Sequence, residues 1–431
     1  MTLNPSIEYK SATEIKLFQE EKLRELIHYL SQNSPFYQRL FHENGIHPQA
    51  IQTIEDLHLI PVTTKADLSE KNSEFMCVPR TKIIDYITTS GTLGDPVTFA
   101  LTDKDLDRLA YNEAISFASA GITANDTMQL MTTIDRRFMA GLAYFLGARK
   151  LGAGIVRVGN GIPELQWDTI MRIQANVIIA VPSFILKIIE YAEQNGIDYK
   201  NSSVRKAICI GEALRNSDFS LTTLAQQIKA KWDIELYSTY ASTEMSTAFT
   251  ECHAGKGGHH HPELIIVEFL DENNQIVADG EAGEVTITTL GVEGMPLLRF
   301  KTGDVANHYS ESCSCGRTSM RIGPVLGRRQ QMIKYKGTSL YPPALYNSLA
   351  NFGFVKDYYV EVFTNSIGTD EIRINVLSFN QTEEFEKQLK DHFRAKLRVA
   401  PLIEFVSEEQ IRRVKYPENS RKPIVFFDLR N

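Results

Sequence analysis

The stretch Thr88-Thr89-Ser90-Gly91-Thr92-Leu93-Gly94-Asp95-Pro96 follows an apolar run, Ile83-Ile84-Asp85-Tyr86-Ile87, that is typical of a β-strand. Its hydroxyls and glycines predict a loop whose N–H and O–H groups both face an anion, with no Cβ obstructing the approach at Gly91 and Gly94. Small polar residues also cluster in ordinary surface turns. The rest of the chain must therefore decide between a phosphate site and a plain turn.

Composition and charge bound the class of protein. The 431 residues are 43% hydrophobic and 23% charged, and the formal net charge is −7. These values are typical of a soluble globular chain of two or three domains and argue against a nucleic-acid partner. The sequence shows no basic leader followed by an apolar segment and no apolar run of membrane-spanning length. We therefore expect a cytoplasmic protein with no membrane partner.

The order of apolar runs predicts the architecture. Between residues 127 and 241, short apolar runs alternate with helical segments of ten to fifteen residues, which indicates βαβ units and a largely parallel sheet. Residues 264–290 instead show strand-like alternation. After residue 326 the pattern changes to two strands, a helix and two more apolar runs. We expect an α/β protein with a large domain of mixed, largely parallel sheets (residues 1–326) and a small α+β domain (residues 327–431).

Polar residues follow two of the predicted parallel strands, where such folds bind ligands. Gly211-Glu212-Ala213 follows the strand at 206–210, and Tyr240-Ala241-Ser242-Thr243-Glu244 closes the strand at 234–240. Tyr240 offers a flat face to a nucleobase, Ser242 and Thr243 offer hydroxyls, and Glu244 offers an oxygen ligand to Mg²⁺. Each segment also has a simpler interpretation, an ordinary turn or a half-buried core aromatic.

Two further segments carry charge in suitable places. Asp304 follows a strand and a Thr-Gly turn, and a carboxylate there is suited to accept both hydroxyls of a ribose, although a Gly-Asp turn is more often only a turn. Lys422 lies in a polar, positively charged loop at 417–423. A lysine in such a loop is usually just solvated.

Cysteine and histidine form a separate group. Cys252, Cys313 and Cys315 are accompanied by a run of histidines, His253, His259, His260 and His261. Thiolate and imidazole suit Zn²⁺, and four protein ligands make a structural site. The alternative is free, reduced cysteines beside a histidine-rich surface loop.

In their order along the chain, these segments resemble the adenylate-forming (acyl-CoA synthetase) superfamily, and within it the phenylacetate-CoA ligase branch. The resemblance covers nearly the whole chain. It rests on residues 34–37, 59–68, 89–96, 147–153, 240–244, 295–304 and 313–317.

The resemblance implies an ATP-dependent acid–CoA ligase that forms an acyl-adenylate and then an acyl-CoA thioester from phenylacetate or a related acid. Its cofactors and substrates would be ATP, Mg²⁺, coenzyme A and the acid, with structural Zn²⁺. The nucleotide-binding residues that it implies are Ser90, Gly91, Thr92, Gly94, Gly211, Glu212, Ala213, Tyr240, Ala241, Ser242, Thr243, Asp304 and Arg328.

The remaining roles follow from the same resemblance. Lys422 would be the catalytic lysine and Glu244 the Mg²⁺ ligand, while Phe138 and Ala241 would line the acyl pocket. His259 would join the three cysteines on zinc. Phe138 follows Asp135-Arg136-Arg137, where the resembling ligases carry a glycine- and aromatic-rich stretch.

Two other functions are compatible with the same residues. One is an adenylate-forming enzyme that transfers to a carrier-protein thiol or a deazaflavin cofactor instead of CoA. The other is a non-catalytic nucleotide-binding protein. A homodimer is expected from the prevalence of such assemblies alone.

Overall fold

The structure is a computed structural model that describes residues 5–89, 97–335, 338–350, 352–365, 369–417 and 423–430. The chain divides into two compact units, one of Met1–Thr302 and Ala306–Val325, the other of Gly303–Val305 and Leu326–Asn431. A nucleotide- and acyl-binding role for residues 1–326 and mobility of residues 327–431 as a second domain stay predictions.

The helices and strands are named in chain order. The helices are α1 Ala12–Asn33, α2 Pro35–Glu43, α3 Lys65–Glu70, α4 Asp103–Ser119, α5 Met139–Leu151, α6 Pro163–Ile173, α7 Pro182–Gln194, α8 Thr223–Lys231, α9 Pro342–Leu349, α10 Glu383–Leu397 and α11 Glu408–Lys415. The strands are β1 Ile83–Thr88, β2 Thr98–Thr102, β3 Thr127–Leu130, β4 Gly154–Arg157, β5 Val177–Ala180, β6 Lys206–Cys209, β7 Glu235–Ser242, β8 Thr247–Thr250, β9 Gly258–His259, β10 Ile265–Leu270, β11 Ala282–Thr289, β12 Phe300–Tyr309, β13 Arg321–Arg328, β14 Ile333–Tyr335, β15 Thr338–Leu340, β16 Val355–Thr364, β17 Asp370–Ser378, β18 Leu402–Phe405 and β19 Phe426–Asp428.

The first unit contains the predicted parallel sheet. Its strand order is β4-β3-β5-β6-β7-β8. All neighbours from β4 to β7 in this order are parallel, and β8 pairs antiparallel with β7 at the edge. The β5 run Val177–Ala180 is wholly buried, because helices cover both faces of such a sheet. The carboxyl ends of β3, β5, β6 and β7 therefore lie at one edge.

A second sheet has the strand order β10-β11-β12-β13-β9. Its pairs β10–β11 and β13–β9 are antiparallel, as the alternation at 264–290 predicts. The segment Thr302-Gly303-Asp304 lies inside β12, so the predicted Thr-Gly turn before Asp304 is wrong. Gly303 has a φ of +81°, which lets the strand continue through a conformation that other residues rarely adopt.

The second unit is a small α+β fold. A four-stranded sheet of order β18-β17-β16-β19 packs with α9, α10 and α11, and β14 pairs with β15. Its core includes Leu389 and Phe393 from α10 and Val360 and Ile374 from the sheet. The α/β fold class with a small α+β unit is confirmed. Across the described residues, every helix is too short or too polar to cross a bilayer.

The helix α4 is buried in the first unit and carries an unusual number of polar side chains on its buried surface. It begins at a capping box formed by Thr102 and Asp105. Glu113 is buried against α5, close to the backbone of Gly147. Burial raises the pKa of the Glu113 carboxyl to about 8, so this group stays protonated inside the fold at neutral pH.

We expect Glu113→Gln to stabilise the protein increasingly as the pH rises. Since the folded-state pKa lies above the unfolded value, the Glu113 contribution to stability is fully present below about pH 4.5 and is lost as the pH rises towards 8. The amide cannot ionise, so the free energy of unfolding of the variant should gain roughly 3 kcal/mol on the wild type between pH 5 and pH 8.

Urea denaturation at each pH measures this difference. The control is Glu164→Gln, a change at an exposed position on α6, which should leave the pH profile unchanged. A difference between the Glu113 variant and the wild type that is constant with pH would contradict the expectation.

Candidate active site

The base of the predicted phosphate loop is described, although Ser90, Gly91, Thr92 and Gly94 lie outside the described residues. Strands β1 and β2 form a two-stranded antiparallel sheet in which Thr88 pairs with Thr98. The Thr89 N–H donates to the Val97 carbonyl at 2.9 Å, and the Val97 N–H donates to the Thr89 hydroxyl at 3.0 Å. Residues 90–96 therefore connect two chain ends that are held side by side.

The loop after β3 contacts the base of this phosphate loop. The carbonyl of Arg137 accepts a hydrogen bond from the Thr88 N–H at 3.0 Å. Arg136 and Arg137 both adopt left-handed backbone conformations, with φ of 60° and 59°, which are uncommon for residues other than glycine. Phe138 follows with 37% of its surface exposed. Phe138, a predicted acyl-pocket residue, directly follows Arg137, whose carbonyl contacts the strand that leads into the phosphate loop.

The segment after β6 has a clear structural role. Gly211 has a φ of +74°, and the Glu212 carboxylate accepts hydrogen bonds from the Ser183 N–H and hydroxyl, both at 2.8 Å. Because Ser183 lies in the first turn of α7, Glu212 caps that helix with a favourable negative charge. Ala213 is exposed. An adenine contact by these three residues stays a prediction.

The segment 240–244 forms the end of β7 and the start of a hairpin turn. Tyr240 pairs with Phe249 across the hairpin, and their ring centroids are 6.0 Å apart. Ala241 is exposed, and Ser242 ends the strand. One face of the Tyr240 ring is thus partly used for packing, as the alternative interpretation of a half-buried aromatic predicts.

The turn between β7 and β8 carries Glu244. The Ser246 N–H donates to the Thr243 carbonyl and the Met245 N–H donates to the Ser242 hydroxyl, both at 3.3 Å. Glu244 is partly exposed. Among the described residues its carboxylate has neither a hydrogen bond nor an ion pair. A partly exposed carboxylate in this state fits a Mg²⁺ ligand.

The second unit contains another predicted pair. The Arg328 Nε atom lies 3.5 Å from Asp304 Oδ1, with the aspartate side chain largely buried and the arginine partly exposed. The resemblance assigns both residues to the ribose, and the structure pairs them with each other. Lys422 lies outside the described residues.

The four predicted zinc ligands lie together in the first unit. The Cys252 and Cys313 sulfurs are 3.6 Å apart, and His259 Nε2 is 3.5 Å from the Cys315 sulfur. All four ligand atoms lie within 4.8 Å of one another. Zinc bonds of about 2.1–2.3 Å place tetrahedral ligands roughly 3.4–3.8 Å apart. The cluster therefore needs little adjustment to hold a metal ion.

Electrostatics also suit these residues to a metal. Burial, with Arg317 nearby, lowers the pKa of His259 to about 3, so its imidazole is neutral, as a metal ligand must be. His260 and His261 are engaged elsewhere: His260 contacts the Ile265 carbonyl, and His261 contacts Glu8. His253 is exposed. His259 is thus the histidine that the structure brings to the cysteines.

Two residues near these segments have no counterpart in the sequence prediction. Glu8 is fully buried and pairs with His261 and Arg317 beside the cysteine cluster. Arg108 is buried on α4 and contacts the β7–β8 hairpin. The only sequence pattern that marks Arg108 is a polar series on α4, Arg108, Asn112 and Ser116, at intervals of four residues, which places three polar side chains on one helix face.

Comparisons with known proteins agree on the class of protein. The family model for AMP-binding enzymes matches residues 32–294. The phenylacetate-coenzyme A ligase of Thermus thermophilus is 30% identical over 87% of this chain and 84% of its own length. The phenylacetate-coenzyme A ligase of Escherichia coli is 26% identical over 99% and 97%.

A solved structure shares the fold. A 2-hydroxyisobutyryl-CoA ligase in its postadenylation state, in complex with R3-HIB-AMP, superposes with a TM-score of 0.83 at 21% identity, covering 98% of this chain and 91% of that one.

We expect the purified protein to contain about one zinc ion per chain. Cys313→Ser should abolish stoichiometric zinc and lower the thermal midpoint, because binding to the folded state stabilises it. Elemental analysis and thermal unfolding measure the two effects. Cys77→Ser, at a buried cysteine outside the cluster, should keep the metal whatever its effect on stability. Zinc-free wild type, prepared without chelators, would refute the expectation.

Proposed function

The chain belongs to the family of AMP-binding enzymes, in the phenylacetate-CoA ligase branch of the adenylate-forming superfamily, and on this premise we propose that its acid is phenylacetate or a related aryl or arylalkyl acid. It is an AMP-forming acid–CoA ligase that acts through an acyl-adenylate. The similarity to two phenylacetate-coenzyme A ligases over most of both chains supports this choice of acid.

The reaction has two steps. A carboxylate oxygen attacks the α-phosphorus of ATP, the bond to the bridging oxygen breaks, and pyrophosphate leaves with that oxygen. The CoA sulfur, having lost its proton, then attacks the acyl carbon, and AMP leaves. Both steps require the protein to position the reactants and to place positive charge where negative charge develops.

We assign the nucleotide to residues that the resemblance implies. In the proposed arrangement Ser90, Gly91, Thr92 and Gly94 bind the phosphates. The paired strands that hold Thr89 beside Val97 support this role, because they fix both ends of the loop. Tyr240 and the segment 211–213 bind the adenine, with Ala241, Ser242 and Thr243 alongside. Asp304 and Arg328 bind the ribose hydroxyls.

Charge in the first step comes from two sources, and a third group is structural. Glu244 would hold Mg²⁺, which neutralises charge on the phosphates when it is bound. Lys422 acts as the catalytic lysine and stabilises the charge that develops during adenylation. The cluster of Cys252, His259, Cys313 and Cys315 holds structural Zn²⁺, which would cross-link the chain after β8 to the chain after β12. The cytoplasmic location and the homodimer stay predictions.

The acyl pocket sets the choice of acid. We place Phe138 and Ala241 in it, with Phe138 supplying the aromatic surface. Arg136 and Arg137 are exposed next to Phe138 in sequence. Arg136 pairs with Asp135 at 4.0 Å, so acids with and without a second anionic group belong in the substrate test.

The proposed activity is tested by AMP release from ATP with a panel of acids. The panel contains phenylacetate, hydroxylated phenylacetates, benzoates, indoleacetate, aliphatic acids and carboxyphenylacetates, each with and without CoA. We expect AMP release with an arylalkyl acid that requires both the acid and CoA. Acyl-adenylate formation with no response to CoA would favour a different acceptor, and ATP binding without turnover on any acid would favour a non-catalytic protein.

We expect Lys422→Ala to slow adenylation about 10²- to 10³-fold, as the loss of one charge-stabilising donor does in other enzymes. Thioester formation from a supplied acyl-adenylate should be nearly unchanged, because the phosphorus chemistry is already complete. Single-turnover measurements of each half-reaction separate the effects. Lys387→Ala, at an exposed lysine of α10 in the same unit, is the control and should leave both rates unchanged. Equal losses in the two half-reactions of the Lys422 variant would contradict its role.

A further inference from the structure

Arg108 is a buried cation whose acceptors, among the described residues, are all uncharged. Its side chain on α4 is 8% exposed. Burial lowers its pKa to about 10, so it remains charged at neutral pH. Nε donates to the Leu290 carbonyl at 2.7 Å, Nη1 to the Ser246 carbonyl at 2.6 Å, and Nη2 to the Leu264 carbonyl at 2.6 Å and the Thr247 hydroxyl at 3.2 Å.

These acceptors belong to three separate parts of the chain. Ser246 and Thr247 lie where the β7–β8 turn enters β8, Leu264 precedes β10, and Leu290 follows β11. One guanidinium therefore joins the edge of the six-stranded sheet to the end of the five-stranded sheet. Its planar fork of donors meets several fixed acceptors at once, which a single ammonium group cannot do.

The turn depends on this contact for its shape. Ser246 has a φ of +46°, an unfavourable conformation for a serine that the surroundings must maintain. The three hydrogen bonds within the turn, including one from the Ser246 hydroxyl to the Thr243 carbonyl, are each 3.3 Å long, whereas the bond from Arg108 to the Ser246 carbonyl is 2.6 Å. The strongest of these contacts thus comes from a residue outside the turn.

A neighbouring side chain holds the strand rather than the turn. Asn112, one helical turn after Arg108, accepts a hydrogen bond from the Ala248 N–H at 3.0 Å. The polar face of α4 therefore fixes both β8 and the turn before it, and Arg108 is the member of that face that reaches the turn.

We propose that Arg108 is a positioning residue for Glu244: by fixing the Ser246 carbonyl it holds the turn from which the Glu244 carboxylate reaches Mg²⁺ on the nucleotide. The inference rests on the proposed role of Glu244. Glu244 lies two residues before Ser246 in the same turn, so a change in the backbone at Ser246 moves the carboxylate directly. Arg108 itself is buried and bonded to protein acceptors, so its role is indirect, through Ser246.

The test is the effect of Mg²⁺ on ATP binding. Isothermal titration of ATP into the full-length protein, with Mg²⁺ and with EDTA, gives the factor by which the metal tightens binding. No acid is present, so no turnover occurs. A general loss of structure weakens both measurements, whereas misplacement of a metal ligand lowers only the Mg²⁺-dependent factor.

We expect Arg108→Lys to lower that factor roughly tenfold, since residues that orient metal ligands typically contribute this much to metal affinity. The matched control is Arg299→Lys. Arg299 is also a buried guanidinium of the first unit, donating to the Ile60 carbonyl at 2.7 Å and pairing with Glu268. The Arg299→Lys variant should lose a comparable free energy of unfolding in urea, and Mg²⁺ should tighten its ATP binding by the same factor as in the wild type. Equal factors in the two variants would overturn the proposal.

Two further variants keep the test decisive. Thr247→Val removes only one acceptor of Arg108 and should lower the Mg²⁺-dependent factor by a smaller amount. If Arg108→Lys does not fold, an unchanged factor in the Thr247 variant overturns the inference. Glu244→Gln should lower the factor at least as much as Arg108→Lys. No effect of Glu244→Gln would refute the proposed metal ligand itself, whereas a strong effect there with none from Arg108→Lys would refute only the positioning role.

Discussion

The hydrogen bonding between parallel strands is the constraint on which the first unit depends. Because β3, β5, β6 and β7 pair in parallel, their carboxyl ends meet at one edge, and the loops that follow them are neighbours. The Arg136-Arg137 loop, the cap formed by Glu212 and the turn bearing Glu244 all follow these strands. Polar chemistry is thereby concentrated at the edge of a sheet whose central strand β5 is wholly apolar.

Much of the fold could be predicted because local sequence and tertiary environment agree. The alternation between residues 127 and 241 gives the parallel sheet with its buried strand β5, and the helix expected between strands after residue 326 is α10. Asp304 shows where they disagree. Thr-Gly-Asp is typical of a turn, but pairing with neighbouring strands extends β12 through it, and a glycine with positive φ accommodates the extension. Such an outcome is decided by contacts that no local pattern contains.

The candidate site likewise contains residues that the sequence identifies and residues that it does not. Cysteine and histidine have a restricted chemistry, so their residue types marked three cysteines and four histidines as candidates. The resemblance selected His259 among the histidines, and the fold assembles the four ligand atoms within 4.8 Å. The helix-capping role of Glu212 depends on Ser183, and the contacts of Arg108 are mostly backbone carbonyls, which every residue has. Interactions with backbone leave almost no trace in a sequence. Residues that position the backbone of a site are accordingly harder to predict than residues that supply its chemistry.

The buried carboxylate of Glu8 has a consequence for biosynthesis. Its partners His261 and Arg317 lie 253 and 309 residues further along the chain. On the ribosome, the segment around Glu8 emerges long before either partner exists, and an ionised carboxylate is costly to bury without a partner. Stable burial of Glu8 as a charged group therefore requires translation past residue 317. Until then the early helices of the first unit remain accessible to chaperones, and the final assembly is governed by the slow search that distant contacts impose.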